Sequence, residues 1–380
     1  MYNNTMFSSP FFSLVTLAFL TMLLIAKLTL IGAATVGVVY GRDGNNLPSP
    51  REVVDLYRSQ GIGAMRIYWP DPEVLQALKG SGIELVLGVP NTDLQQLASD
   101  IPSAQRWVRT NVLNYPDVKV KYISVGNEVT PVNPQSRYAT FVVPAMTNIF
   151  NAVKDAGLFQ KVRVSTTLDT SVIDEKTSYP PSAGNFRRDV MWFMNPIIGF
   201  LTDTNQPILF TVYPYYAYIY NRNRIKLPYV LFTKQSPEFT DNGLKYYNLF
   251  DAMLDGVYSA LEKNSGPAAM PAAMLNGTVS SSLRRGYQVK AVITETGYRH
   301  MPGPPRGHGR RTLLASEDAC TYYENLVKHV TSVGTPKRPG PIETYLFAMF
   351  DENKKPENER NFGIFGLNKQ PRCAINFHGT

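Results

Sequence analysis

The sequence predicts a (β/α)8 barrel, and three observations carry that expectation. Eight short runs rich in Val, Ile, Leu and aromatic residues recur along the chain, most of them are separated by stretches long enough to hold a helix, and glutamate closes three of the runs. Alternating strand and helix signals indicate repeated βα units, and eight such units are the number that closes a parallel sheet on itself. A length of 380 residues suits one large barrel or two ordinary domains, and the periodicity favours the first.

In chain order the runs are Val36 to Tyr40, Met65 to Trp69, Glu84 to Val89, Val120 to Glu128, Val162 to Leu168, Ile208 to Tyr215, Val289 to Glu295 and Thr344 to Glu352. Between them, Ser49-Pro50-Arg51-Glu52 places Pro at a first helical position and opens an apolar pattern through Val53, Val54, Leu56 and Tyr57. Further helices are expected over Asp71 to Lys79, Ser103 to Asn114, Ala139 to Ala156, Leu249 to Lys263 and Ser316 to Ser332. Their apolar spacing fits one face packed on a sheet. Gly266 to Gly286, with the sequon Asn276-Gly277-Thr278, shows neither period and reads as a loop at the N-terminal face of the barrel. Arg299 to Arg311 follows the seventh run directly and reads as a basic rim beside the strand ends.

The first 34 residues are a separate unit. Phe11 to Ala26 is almost wholly apolar, and a second apolar piece after Lys27 runs into Gly32-Ala33-Ala34, as a secretory signal with its cleavage site would. An uncleaved anchor is the rival reading, against which Lys27 inside the stretch argues. The chain ends without a hydrophobic tail of the lipid-anchor kind, so no stable membrane association is expected. Residues 35–380 then form one domain.

The formal charge of +8 is basic, but no nucleic-acid-binding signature accompanies it, so nucleic acid is not expected as a partner. Cys320 and Cys373 are too few for a disulfide scaffold or a metal cluster; whether they pair stays open. His300, His308, His329 and His378 show no ligand spacing, so neither metal nor cofactor is expected. The 22 Tyr and 19 Phe suit stacking on sugar rings, although most must be core.

In a barrel of this kind chemistry gathers at the C-terminal ends of the strands. Glu128 closes the fourth run and Glu295 the seventh. Glutamate is depleted in strands and costly to bury unpaired, so its recurrence there points to function. Cleaving a glycosidic bond takes one carboxyl group as acid and a second as nucleophile or base. Glu128 is read as the proton donor, held protonated by burial and by the other carboxylate, and Glu295 as the ionised nucleophile. Retention would set the two carboxyls about 5 to 5.5 Å apart. Asn127 is placed to bond the sugar 2-hydroxyl, Tyr213 to donate to Glu295, Glu352 and Lys355 to orient substrate and balance charge, and Trp69, with Tyr68, to provide a stacking wall.

At these residues the chain resembles the plant β-1,3-glucanases of glycoside hydrolase family 17, over nearly all of Val36 to Phe377. The markers are Val36-Gly37-Val38-Val39-Tyr40-Gly41, Met65-Arg66-Ile67-Tyr68, Val125-Gly126-Asn127-Glu128-Val129, Tyr179-Pro180-Pro181-Ser182, Tyr213-Pro214-Tyr215-Tyr216-Ala217-Tyr218, Leu249-Phe250-Asp251-Ala252-Met253 and the stretch Glu343 to Asn353. The resemblance implies a single barrel with a long open groove, endo-hydrolysis of 1,3-β-glucan with retention, and no cofactor. It puts the acid at Glu128, the nucleophile at Glu295, a supporting pair at Glu352 and Lys355, and an aromatic near the cleavage point at Tyr40.

Departures from the family pattern fall at Gly297-Tyr298-Arg299-His300, where Gly-Trp-Pro-Ser is usual, at Thr211, where Asn is common, and at Val39, where Cys is common. Tyr298 and the two basic residues after it are expected beside the groove. The expected protein is a secreted monomeric hydrolase of callose or fungal and oomycete wall glucan, acting in carbohydrate metabolism and plant defence, in the apoplast or the vacuole. The alternatives are a glucan-binding protein of the same fold with little turnover, and a mixed-linkage 1,3;1,4-β-glucanase or transglycosylase.

Overall fold

The computed structural model of the chain describes residues 36–175, 178–264, 289–300 and 310–377, with side chains excluded for 310–316. The expected signal segment, the loop Gly266 to Gly286 with its sequon, and the residues between His300 and Arg310 lie outside the described residues.

Eight parallel strands close into a barrel: β1 (Val36–Val39), β2 (Ala64–Ile67), β3 (Glu84–Val89), β4 (Lys119–Asn127), β5 (Arg163–Leu168), β6 (Ile208–Thr211), β9 (Ala291–Thr296) and β10 (Thr344–Leu346), the last pairing back onto β1. All eight expected runs supply a barrel strand. Between β6 and β9 the chain adds an antiparallel hairpin, β7 (Phe239–Asp241) with β8 (Leu244–Tyr246), which strand periodicity alone did not reveal.

The helices begin where local chemistry starts them. Ser49 and Glu52 form a reciprocal capping box in front of Pro50–Ser59, whose Val53, Val54, Leu56 and Tyr57 face the barrel. Asp71 caps Pro72–Leu78 by accepting from two backbone amides. The helix expected from Ser103 begins at Ile101, because Asp100 accepts from the Ser103 amide at 2.7 Å, and its last turn, Arg109–Leu113, is wound as a π-helix. Helices over Ala139–Asp155 and Leu249–Asn264 match expectation, and the one expected from Ser316 starts at Arg310. Leu94–Ser99 and Met191–Thr204 were not anticipated; the first is one short turn-and-a-half, and the second contains Pro196, which reads as a breaker.

Two expected runs end early. The sixth was expected to reach Tyr215, but β6 stops at Thr211 and Pro214 opens a short helix, Pro214–Tyr220. The eighth stops at Leu346, and the apolar stretch to Phe350 leaves the sheet while staying buried. Within the barrel a polar layer crosses the core: Ser124 Oγ lies 2.8 Å from Thr167 Oγ1, and the Thr167 and Thr294 hydroxyls are 3.5 Å apart. These hydroxyls satisfy one another where apolar residues would otherwise fill the lumen.

Candidate active site

Three strand pairs around the site depart from ideal pairing. β4 against β5 shifts register between Ser124 and Asn127, β6 against β9 between Phe210 and Thr211, and β10 against β9 between Thr344 and Leu346. Such irregularities turn the chain out of the ladder and re-aim side chains. At the end of β4, Gly126 has φ +82° and Glu128 φ +49°. The left-handed region suits glycine; a glutamate there carries strain of about 1–3 kcal/mol, which the surroundings must hold. They do: the Glu128 amide donates to Thr167 O at 2.9 Å and Asn133 Nδ2 donates to the Glu128 carbonyl.

Glu128 is half-buried, and its Oε1 accepts from Thr211 Oγ1 at 2.7 Å. Burial, then the nearby charges of Glu295 and Asp169, push its carboxyl up to about 8, against the opposing pull of Thr211 and Arg66. At neutral pH the carboxyl is therefore protonated and able to give up a proton.

Glu295, on β9, is 5% exposed and has three donors. Arg66 Nη1 and the Tyr68 hydroxyl each reach Oε1 at 2.7 Å, and the Tyr213 hydroxyl reaches Oε2 at 2.8 Å. Arg66 comes from β2 and is 1% exposed; it also donates to Thr294 O at 3.0 Å and to Asn127 Oδ1. A buried guanidinium is tolerable only when paired and bonded in this way, and here its partner is the Glu295 carboxyl. Both Tyr68 and Tyr213 have hydroxyls pushed well above their ordinary range, chiefly by burial, so they remain donors.

Asn127 is clamped by Asn91, which accepts from its amide at 2.8 Å and donates to its carbonyl at 3.0 Å. Because Arg66 occupies Oδ1, the side-chain NH2 of Asn127 is the end left for a ligand. Glu352 is 3% exposed; its Oε2 lies 3.0 Å from Lys355 Nζ and its Oε1 accepts from the Asp43 amide at 2.8 Å. Burial pushes the Glu352 carboxyl up against the pull of Lys355. The Lys355 ammonium lies over the Phe347 ring at 4.6 Å and the Tyr68 ring at 5.3 Å.

A single open cleft of about 1900 Å³ brings together Glu128, Glu295, Asn127, Tyr213, Trp69 and Lys355. Glu352 stands behind it, holding Lys355. Two more expected residues do not reach it either. Tyr40 is fully buried, its hydroxyl bonded by Arg42 at 3.1 Å, and Arg42 in turn pairs with Asp71 at 3.0 Å. Tyr298 is buried against Tyr215 and Tyr322, with its amide on the Tyr323 hydroxyl. The basic rim is corrected at its start as well. Arg299 is buried with its guanidinium on the carbonyls of Glu357 and Arg360, and His300 is buried, its imidazole held down at about 4 chiefly by burial and therefore neutral.

Arg66, Thr211 and the hydroxyl of Tyr68 are site groups that the sequence reading did not assign. Arg66 did leave a signal: a lone charge between Met65 and Ile67, in a strand otherwise apolar. Sequence periodicity could not have told which carboxylate it meets.

A family model described as glycosyl hydrolases family 17 matches residues 36–377. A tobacco protein named glucan endo-1,3-beta-glucosidase, basic vacuolar isoform GLB (Nicotiana tabacum), is 45% identical over 373 residues, covering 97% of this chain and 92% of that protein. The potato glucan endo-1,3-beta-glucosidase, basic isoform 1 (Solanum tuberosum), is 46% identical over 344 residues, covering 90% of this chain and 93% of that protein. Among solved structures, CJP38, a beta-1,3-glucanase and allergen of Cryptomeria japonica pollen, superposes with a TM-score of 0.78 at 42% identity, covering 90% of this chain and 99% of that one.

Proposed function

The chain belongs to glycosyl hydrolases family 17, and from that membership we propose that it is a glucan endo-1,3-beta-glucosidase that cleaves with retention. One observation carries the mechanism: two carboxyls face one cleft in opposite settings, Glu128 pushed up to about 8 and Glu295 bonded by Arg66, Tyr68 and Tyr213. Glu128 gives its proton to the departing glycosidic oxygen while Glu295 bonds the anomeric carbon. Glu128 then takes a proton from water, whose oxygen displaces Glu295 from the sugar. The amide NH2 of Asn127 serves the 2-hydroxyl, an interaction that strengthens as oxocarbenium character develops. Trp69 offers a stacking face at the cleft wall.

Residues 1–34 act as a secretory signal in this reading, which the disulfide between Cys320 and Cys373 supports, since such bonds persist in oxidising compartments. Apoplast and vacuole are both compatible with it; two tobacco relatives are named basic vacuolar isoforms. No described helix is long and apolar enough to cross a membrane.

The test is release of reducing ends from a soluble 1,3-β-glucan, with the first-formed anomer read by NMR. Wild type yields the β-anomer and Glu295→Ala yields no product. First-formed α-anomer would overturn retention, and equal turnover by the two proteins would overturn the hydrolase reading.

A further inference from the structure

Tyr213, Tyr216 and Tyr220 are spaced three and four residues apart, which on a helix puts them in one row. The early end of β6 makes that helix, Pro214–Tyr220, and gives the spacing its meaning. All three line the cleft. The row starts at the chemistry, because the Tyr213 hydroxyl bonds Glu295 at 2.8 Å. It then runs away from it, with ring centroids 5.3 Å apart from Tyr213 to Tyr216 and 6.4 Å apart from Tyr216 to Tyr220.

The outer two rings differ from the inner one. Tyr216 and Tyr220 are nearly parallel, with 16° between their planes, so they present a common orientation. Tyr220 is 76% exposed, an unusual state for a large ring at the wall of a cleft, and nothing in the catalytic constellation touches it. Tyr216 is held from across the cleft, where its hydroxyl donates to the Asn358 carbonyl at 3.1 Å. The turn that carries Asn358, Glu357–Glu359, is gripped from below by Arg299, whose guanidinium donates to the carbonyls of Glu357 and Arg360. The ledge is therefore braced, while its outer face is open. Asn221 and Arg224 line the cleft just beyond it and offer polar groups for hydroxyls.

We propose that Tyr216 and Tyr220 form an aromatic ledge on which a glucosyl unit remote from the cleavage point stacks, so that the cleft selects long glucan chains over short ones. This rests on the hydrolase reading above. A flat hydrophobic ring meets the axial C–H face of a β-glucosyl unit, and an exposed ring at the cleft wall loses water when that unit arrives. The contribution belongs to binding of the chain, so it appears in KM for substrates long enough to span from Glu295 to Tyr220.

The experiment measures kcat and KM for a graded series of 1,3-β-gluco-oligomers with wild type, Tyr220→Ala and Tyr220→Phe, all checked for identical melting curves. In Tyr220→Ala the ratio of kcat/KM on the longest to that on the shortest cleaved oligomer falls about five- to tenfold, through KM. Tyr220→Phe keeps the ring and restores the ratio. A ratio unmoved in Tyr220→Ala, or lowered equally in Tyr220→Phe, overturns the ledge while leaving the hydrolase reading intact. Absence of any cleavage by wild type would instead overturn the hydrolase reading.

Discussion

Thr211 stands opposite Glu295 in the pairing of β6 with β9, yet its hydroxyl reaches the other carboxyl, donating to Glu128 Oε1 at 2.7 Å. One small side chain thus ties the strand beside Glu295 to Glu128. Its donation favours the ionised carboxylate and opposes the burial that keeps Glu128 protonated. Replacing Thr211 by Val removes the donor and nearly preserves the volume. The alkaline limb of the kcat/KM profile should then move up by about 0.5 to 1 pH unit, the worth of one net hydrogen bond. A limb that stays in place or moves down would show that Thr211 does not set the acid.

Glu128 itself trades stability for its proton. Its folded-state value of about 8 lies above the ordinary 4.5, so the folded chain binds the proton more tightly and the stability this residue contributes falls as pH rises from about 4.5 to about 8. Glu128→Gln keeps an acceptor for Thr211 and carries no charge. Activity should fall by about 100-fold or more. The melting temperature should exceed that of wild type by about 1 to 3 °C near pH 8, with the gap closing toward pH 4.5. A gap that is constant with pH would argue that the carboxyl is not perturbed in the folded chain.

Many of the residues that meet in the cleft were legible in the sequence, and the reason is physical. Strand ends are where a barrel places its chemistry, so Glu128, Asn127 and Glu295 could be picked from chain position alone. Tyr213 followed because it lies near the C-terminal end of the sixth run. The failures share a cause too. Tyr40 and Tyr298 sit at strand ends like the others, but whether an aromatic there turns into the cleft or into the core depends on a one-residue change of direction that periodicity does not encode. Arg66 was passed over because its partners, Glu295 and Asn127, are far from it in sequence and meet it only once the barrel closes.

That closure makes Arg66 the hub of the site. It bonds Thr294 O, Glu295 and Asn127 together, and a compact ammonium cannot present that fork. Arg66→Met leaves a buried carboxylate without its counter-charge, at a cost of about 3–5 kcal/mol in urea denaturation, and kcat should fall by about two orders of magnitude or more. Arg66→Lys should recover stability in part and kcat hardly at all. Full recovery of kcat by lysine would show that charge alone, and not the fork, is what Glu295 requires.

Behind the cleft, Gly41 is set by Glu352. A Cβ at position 41 would fall 2.1 Å from Glu352 Oε1, inside any permitted contact. Gly41→Ala must displace that carboxylate from Lys355 and from the Asp43 amide, since both bonds end on it. Lys355 then loses its partner while still lying over the Phe347 and Tyr68 rings, and Tyr68 is a donor to Glu295. The expected outcome is a loss of about 2 kcal/mol or more in stability and a fall in kcat larger than the rise in KM. Kinetics unchanged from wild type would mean that Glu352 is not coupled to the nucleophile.

The disulfide joins a helix to the segment around Cys373. Cys320 lies in the helix Arg310–Ser332 and Cys373 in the terminal segment, a separation of 53 residues. That segment is also tied by the Arg372–Asp351 ion pair at 2.7 Å and by the Arg372 amide on Ile364 O at 2.9 Å, so it keeps its place by other bonds once folded. The bond should therefore act chiefly on the unfolded chain, whose closed loop is worth about 4 kcal/mol in the chain-entropy account. Cys373→Ser should lower stability by about that amount while leaving kcat within about twofold of wild type well below the melting temperature. The urea transition of wild type with dithiothreitol should match that of the variant without it. A large loss of kcat in folded Cys373→Ser would mean instead that the bond holds Phe362 and its neighbours against Tyr213 and Tyr216, making it part of the cleft's architecture.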